Sequence, residues 1–189
     1  MKRATTYWLA TGAACIALLS ACTAGATGDA TDVEAATDPL LDAGELALPQ
    51  IADDLNATIV QADRGIEQRG GMEGTNVTVT AKVGARLMGP PPTQEDMEAA
   101  FVNAGYEEVT SSTSDGTGAT VANITVNGVS ADGSSEASLQ FIDDEQMRYD
   151  YFFTLTSTEQ FVLTPGDFDT YQTSEHRQFD QALVTPLDE

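Results

Sequence analysis

The sequence is short of positive charge. Eight Lys and Arg stand against 30 Asp and Glu in 189 residues, for a formal charge of −22. Nucleic-acid binding needs clustered cations, and Arg64, Arg69, Lys82, Arg86, Arg148 and Arg177 are scattered. Nucleic acid is therefore excluded as a partner, and so is charge-driven docking on anionic headgroups. Thiols are as scarce. The two cysteines, Cys15 and Cys22, both fall in the first 22 residues, so the body of the chain has no disulfide and no thiol chemistry. One histidine, His176, is too few for a zinc site, which takes several His or Cys ligands. It lies in the polar run Ser174-Glu175-His176-Arg177 and is expected to be exposed, which deprives a Ser-His-Asp triad of its base. No apolar run reaches the roughly 20 residues that a membrane-spanning helix needs.

The N-terminus holds what the body lacks. Lys2-Arg3 is followed by residues 4–21, which carry no charge and include Trp8, Leu9, Ile16, Leu18 and Leu19. A positive start, an apolar middle and a small-residue end make a secretory signal. No twin arginine precedes the core, which favours the general secretory route. Leu19-Ser20-Ala21-Cys22 supplies a branched apolar residue, two small residues and a cysteine. That spacing presents the Cys22 thiolate at the membrane surface to a diacylglyceryl donor. It also lets Ser20 and Ala21 enter a peptidase cleft, with cleavage between Ala21 and Cys22. Cys15 has Gly12 where the branched residue belongs and is expected to leave with the peptide.

The four residues resemble the lipobox of bacterial lipoproteins, a likeness confined to about an eighth of the chain. It implies lipid on Cys22, a cell-membrane location and an extracytoplasmic face. Each buried CH₂ contributes about 0.8 kcal/mol and one acyl chain binds only marginally, so the two chains of a diacylglyceryl group make the anchorage durable. Loss of Lys2 and Arg3 takes the charge from −22 to −24. The remainder resembles small actinobacterial surface lipoproteins of uncharacterised function in composition and element order. It shares no diagnostic motif with them, so no site residue carries over.

Residues 1–21 are thus expected as signal peptide, 22–38 as a lipidated cysteine with a flexible acidic tether, and 39–189 as one domain. The run 23–38 has almost nothing to bury, and 16 flexible residues reach roughly 20–25 Å. Asp38-Pro39 reads as a helix start. Over 49–68, Ile51, Leu55, Ile59, Ala62 and Ile66 recur at helical steps. Residues 76–88 then alternate as a strand with Val77, Val79, Val83 and Leu87 on one face. Thr93 with Asp96 is a capping box for a second helix carrying Met97, Ala100 and Phe101. Strands follow at 119–129 and 134–143 around Ala131-Asp132-Gly133, at 147–155, and as an edge at 160–164. The tail is expected to be irregular, with one helical turn near Phe179.

The expected fold is α+β in two layers. Two helices pack on a mostly antiparallel sheet of four or five strands, in the order α-β-α-β-β-β. The helices should cover the face of Val79, Leu139 and Tyr151 and leave Arg148, Asp150 and Phe152 outward. Carboxylates gather at Asp53-Asp54, Glu107-Glu108, Asp143-Asp144-Glu145 and Asp167/Asp169. Pairs of this kind hydrolyse glycosides or hold calcium, but turns and helix surfaces make them solvated charge. Gly70-Gly71 and Gly116/Gly118 are turn glycines without phosphate-loop context. No cofactor and no metal are implied. The functional expectation is a non-enzymatic binding domain with an envelope partner or small ligand. The alternatives are a carrier of a lipid or other apolar ligand, and a carboxylate-based envelope hydrolase.

Overall fold

The computed structural model describes residues 26–70, 74–114, 122–143 and 150–187. The signal segment, Ala21, Cys22, Gly71, Gly116, Gly118, Asp144, Glu145 and Arg148 lie outside the described residues. The domain is α+β, but richer than expected. Its elements are β1 (Ala26–Thr27), α1 (Ala30–Asp54), β2 (Thr58–Arg69), β3 (Val77–Met88), α2 (Gln94–Asn103) and β4 (Tyr106–Ser114). They continue with β5 (Ala122–Ser130), β6 (Ser135–Asp143), β7 (Asp150–Ser157), β8 (Phe161–Leu163), α3 (Pro165–Thr173) and one 3₁₀ turn at Gln181–Leu183.

Among the described residues three helices therefore replace the expected two, and eight strands the expected four or five. Strand β3 organises the sheet. One edge takes β2 along its length, and the other takes β7 at Lys82–Met88 and β8 at Val77–Val79. Beyond β7 the antiparallel meander runs β6, β5, β4. The two-residue β1 pairs in parallel with β8.

The acidic run expected to be a tether is structured from Ala26 onward. Asp29 caps α1 by accepting from the Thr31 and Asp32 N–H groups, while Asp32 accepts from the Asp29 N–H at 2.9 Å. The stripe then runs Val33, Thr37, Leu40, Leu41, Gly44, Leu48 and Ile51, all buried. Only Val33 among its first residues is strongly apolar, which hides the pattern. The Thr37 hydroxyl joins the stripe because it donates to the Val33 carbonyl at 2.6 Å. Pro39 and Pro49 lie inside the helix. Interior proline costs about 3 kcal/mol, so the packed stripe, not local propensity, carries α1 through both.

The expected helix over 49–68 is a second correction. Helix α1 ends at Asp54, Asn56 turns the chain with φ 49°, and β2 begins at Thr58. The register slips by one residue between Ile59 and Gln61 against β3. That bulge sets Ile59 and Ala62 three apart on one face, as a helix would. The tail is also ordered: α3 follows a Thr164 cap, Phe179 is buried, and the Thr185 N–H reaches the Ile59 carbonyl at 2.8 Å.

The capping box of α2 and the β5–β6 hairpin form as expected. At the hairpin, Asp132 accepts from the Ser134 N–H and from the Ser134 and Ser130 hydroxyls, which pull its carboxyl down to about 2. All three helices pack on one sheet face. Val79, Leu139 and Tyr151 are buried there, with Met97 and Phe101 of α2 and Leu41 and Leu48 of α1. Glu108 forms a second bulge, between Glu107 and Thr110, at φ 49°. A left-handed backbone costs a side-chain-bearing residue roughly 1–2 kcal/mol, which glycine avoids at some entropic cost. Glu108→Gly should therefore raise stability by about 0.5–1 kcal/mol, read from the denaturant midpoint; a loss would show that the Glu108 side chain is doing the holding.

Candidate functional site

The second face of the sheet carries no helix among the described residues, and it is not flat. Arg69 on β2 and Glu108 and Thr110 on β4 belong to opposite sides of the sheet, yet they line one cavity of about 400 Å³. The sheet is coiled enough to bring its margins toward each other, so this face is a trough. Strand twist gives the curl, and the two bulges on β2 and β4 sharpen it.

Alternation places the lining. On β3 the odd positions go to the helices, and Lys82, Gly84 and Arg86 point into the trough. Register then sets Thr156 beside Lys82, Thr154 beside Gly84 and Phe152 beside Arg86, with Ser138 and Gln140 next on β6. The face is mostly hydroxyl and amide, half-buried by its own curvature. Phe152 is its aromatic, outward as the alternation predicts and half-buried rather than bare.

Around Gly84 a shallower concavity of about 240 Å³ lies between Asp63 and Gln61 of β2 and Phe152 and Thr154 of β7. Arg86 is fixed there. Its Nε and Nη2 donate to Asp150 Oδ2 at 3.0 and 2.6 Å. Asp150 is fully buried, with its other oxygen unpartnered, while Arg86 keeps 36% of its side chain exposed. An ion pair to a buried carboxylate holds the guanidinium in one pose.

A second concavity, about 600 Å³, lies beside α1. Ala35, Ala36, Pro39, Leu40 and Ala43 form an apolar wall, facing the β5–β6 and β7–β8 turns with Ser134, Ser157 and Thr158.

His176 is not the exposed histidine the tail suggests. Its side chain is 16% exposed, its Nδ1 lies 2.7 Å from Glu34 Oε2, and its Nε2 lies 2.6 Å from the Tyr171 carbonyl. Glu34 also takes both Arg64 Nη groups at 2.8 Å, and Arg64 Nη2 donates to the Tyr171 hydroxyl at 2.6 Å. The imidazole stacks on the Tyr171 ring, with centroids 4.5 Å apart. Both ring nitrogens are committed, so the group joins the tail to α1 and β2. The arginine donors hold the Glu34 carboxyl below its ordinary value against the opposing effect of burial. Sequence reading missed this cluster because its members lie 30 and 107 residues from Arg64.

The carboxylate pairs are dispersed. Asp54 accepts from Gln50 and Asn103, Glu107 and Glu108 are exposed on β4, and Asp167 accepts from the Thr164 hydroxyl as part of a cap. Among the described residues no three His, Cys, Asp or Glu gather as metal ligands, and no helix is long and apolar enough to cross a membrane. Comparison with protein-family models, curated proteins and solved structures finds no match to this chain.

Proposed function

We propose that the chain is a lipoprotein held to the extracytoplasmic face of the cell membrane through lipid on Cys22, and that its domain binds an envelope partner without catalysing a reaction. The observation that carries this is the pairing of a lipobox, Leu19-Ser20-Ala21-Cys22, with a domain whose concave sheet face carries no helix among the described residues. Four residue steps separate Cys22 from Ala26, where β1 begins. Fully extended they span about 14 Å, so the domain rides close to the bilayer and not on a long tether. A polar trough on a domain held this close to the bilayer suits a partner within the envelope. With His176 committed and the carboxylates dispersed, the non-enzymatic reading is favoured over the hydrolase.

The test is metabolic labelling with radioactive palmitate. The wild-type protein should take up label and stay in the membrane fraction, and Cys22→Ala should abolish both. An unlabelled wild-type protein would overturn the anchorage. A hydrolytic activity abolished by one Asp→Asn change, with the fold intact, would overturn the non-enzymatic part.

The apolar wall of Ala35, Ala36, Pro39, Leu40 and Ala43 beside α1 favours a second reading, a carrier of an apolar ligand. Against it, the space between helices and sheet is filled by Leu41, Leu48, Phe101 and Phe153. Native mass spectrometry of protein made in its own host separates the two: a stoichiometric lipid beyond that on Cys22 supports the carrier.

A further inference from the structure

We infer that the trough is a binding site for an uncharged polysaccharide chain, seated over Gly84. This rests on the reading of the domain as an envelope-binding module and names the class of its partner.

The charge balance of the trough narrows the ligand. The described chain has five cations, Arg64, Arg69, Lys82, Arg86 and Arg177. Three of them line the trough, where Asp63, Glu108 and Glu136 oppose them and where Arg69 and Arg86 are also paired with Glu67 and Asp150. The trough therefore holds no surplus of positive charge, on a strongly acidic protein. A polyanion meets long-range repulsion, and a polycation would be drawn to the acidic surface elsewhere. An apolar peptide or acyl chain finds few partners among Thr154, Ser138, Asn127 and Thr110. A neutral chain rich in hydroxyls fits all of them, because each hydroxyl both donates and accepts. Asp63 and Glu136 accept hydrogen bonds from its hydroxyls, while Lys82 and Arg86 donate to its oxygens.

Geometry locates the first subsite. Gly84 forms the floor, with Lys82 and Arg86 at its ends along β3 and Asp63 and Thr154 across it. Phe152 stands beside Arg86 and offers a ring to the C–H face of a sugar. Arg86 is held in place by Asp150 before any ligand arrives, which lowers the ordering cost of binding. From β2 to β4 are five inter-strand spacings, about 24 Å at about 4.8 Å each, enough for several sugar units laid across the strands.

Gly84→Val is the discriminating variant. A Cβ at Gly84 would stand 3.3 Å from Asp63 Oδ1 and 3.9 Å from Lys82 Cε. Both neighbours are ends of side chains that can shift, and valine suits a strand, so the fold should stand while the floor is filled. The lipidated protein, purified in detergent, is titrated by calorimetry and saturation-transfer NMR with three probes: cellotetraose, maltotetraose and tetra-galacturonate. The expected result is saturable binding of a neutral tetrasaccharide. Gly84→Val and Phe152→Ala should each weaken it about tenfold or more, and Gly84→Val should leave the thermal midpoint unchanged. Absence of neutral binding at about 10 mM, where millimolar affinities show, overturns the inference. So does equal binding by both variants, or tighter binding of the galacturonate. The palmitate label reads the anchorage separately: a labelled protein that ignores both neutral sugars defeats this inference alone, and an unlabelled one defeats the reading beneath it.

Discussion

Glu34→Ala should cost about 3 kcal/mol of stability, at the lower end of what removing one member of a buried ion pair costs. The side chain of Arg64 is only 4% exposed, and Glu34 takes both of its Nη groups. Without the carboxylate, Arg64 keeps the Tyr171 hydroxyl and ring and the Arg177 carbonyl at 3.3 Å, none of them charged. His176 loses its Nδ1 partner in the same step. Glu34 itself is 29% exposed, so water relieves part of the cost and the low end of the range applies. For a domain of this size the thermal midpoint should fall by roughly 6–12 °C. The double variant Glu34→Ala/Arg64→Met removes the stranded charge and should recover part of that loss, a coupling that a double-mutant cycle measures. A loss under about 1 kcal/mol for Glu34→Ala would show the cluster to be ornamental.

Acid provides a second readout of the same cluster. The folded Glu34 carboxyl titrates below its ordinary 4.5, chiefly because Arg64 donates to it. Its contribution to stability is then complete above about pH 4.5 and is lost as the pH falls through the lower folded value. Glu34→Gln should flatten that limb of the stability–pH profile. An unchanged limb would assign the acid sensitivity to other carboxylates.

The fold was legible where one period held over a whole element. Strand β3 alternates for 12 residues, and α2 carries its stripe between a Thr93–Asp96 box and Gly105. It was illegible where two periods met. The steps from Ile51 to Ile66 join a helix end, a turn at Asn56 and a bulged strand, and their sum imitates one helix. Strand β4 has the opposite defect. Its Ser and Thr run at the sheet margin buries little beyond Tyr106, so no alternation advertises it. The start of α1 was hidden because Thr37 and Gly44 fill stripe positions that a hydrophobic count leaves blank. Of the trough, the outward setting of Phe152 followed from alternation along β7. The pairing of Asp150 with Arg86 joins residues 64 apart, and the curl that makes a concavity belongs to the assembled sheet, so neither has a local signature.

Gly128→Val should be as damaging as Glu34→Ala, at about 3 kcal/mol, and for a reason confined to the helix side of the same sheet. A Cβ there would lie 2.9 Å from Tyr106 Cβ, 3.2 Å from Phe101 Cδ1 and 3.4 Å from the Glu107 carbonyl oxygen. None of these neighbours is a free end. Phe101 is wedged between the Tyr106 and Phe153 rings, at centroid distances of 5.0 and 6.4 Å, and all three are buried. Tyr106 follows directly on Gly105, whose φ of 89° closes α2, so the backbone at that corner has little freedom to retreat. Overpacking a dense core costs roughly 1–3 kcal/mol, and three fixed neighbours place this site at the top of that range. Gly65→Ala is the matched control. It also sits in a long strand, but nothing lies within 4 Å of its Cβ position, so its effect should be neutral or slightly stabilising. The two variants measured side by side by denaturant unfolding should differ by about 3 kcal/mol. Equal midpoints would mean that α2 can lift from β5 without loss, and that Phe101 does not hold the two layers together.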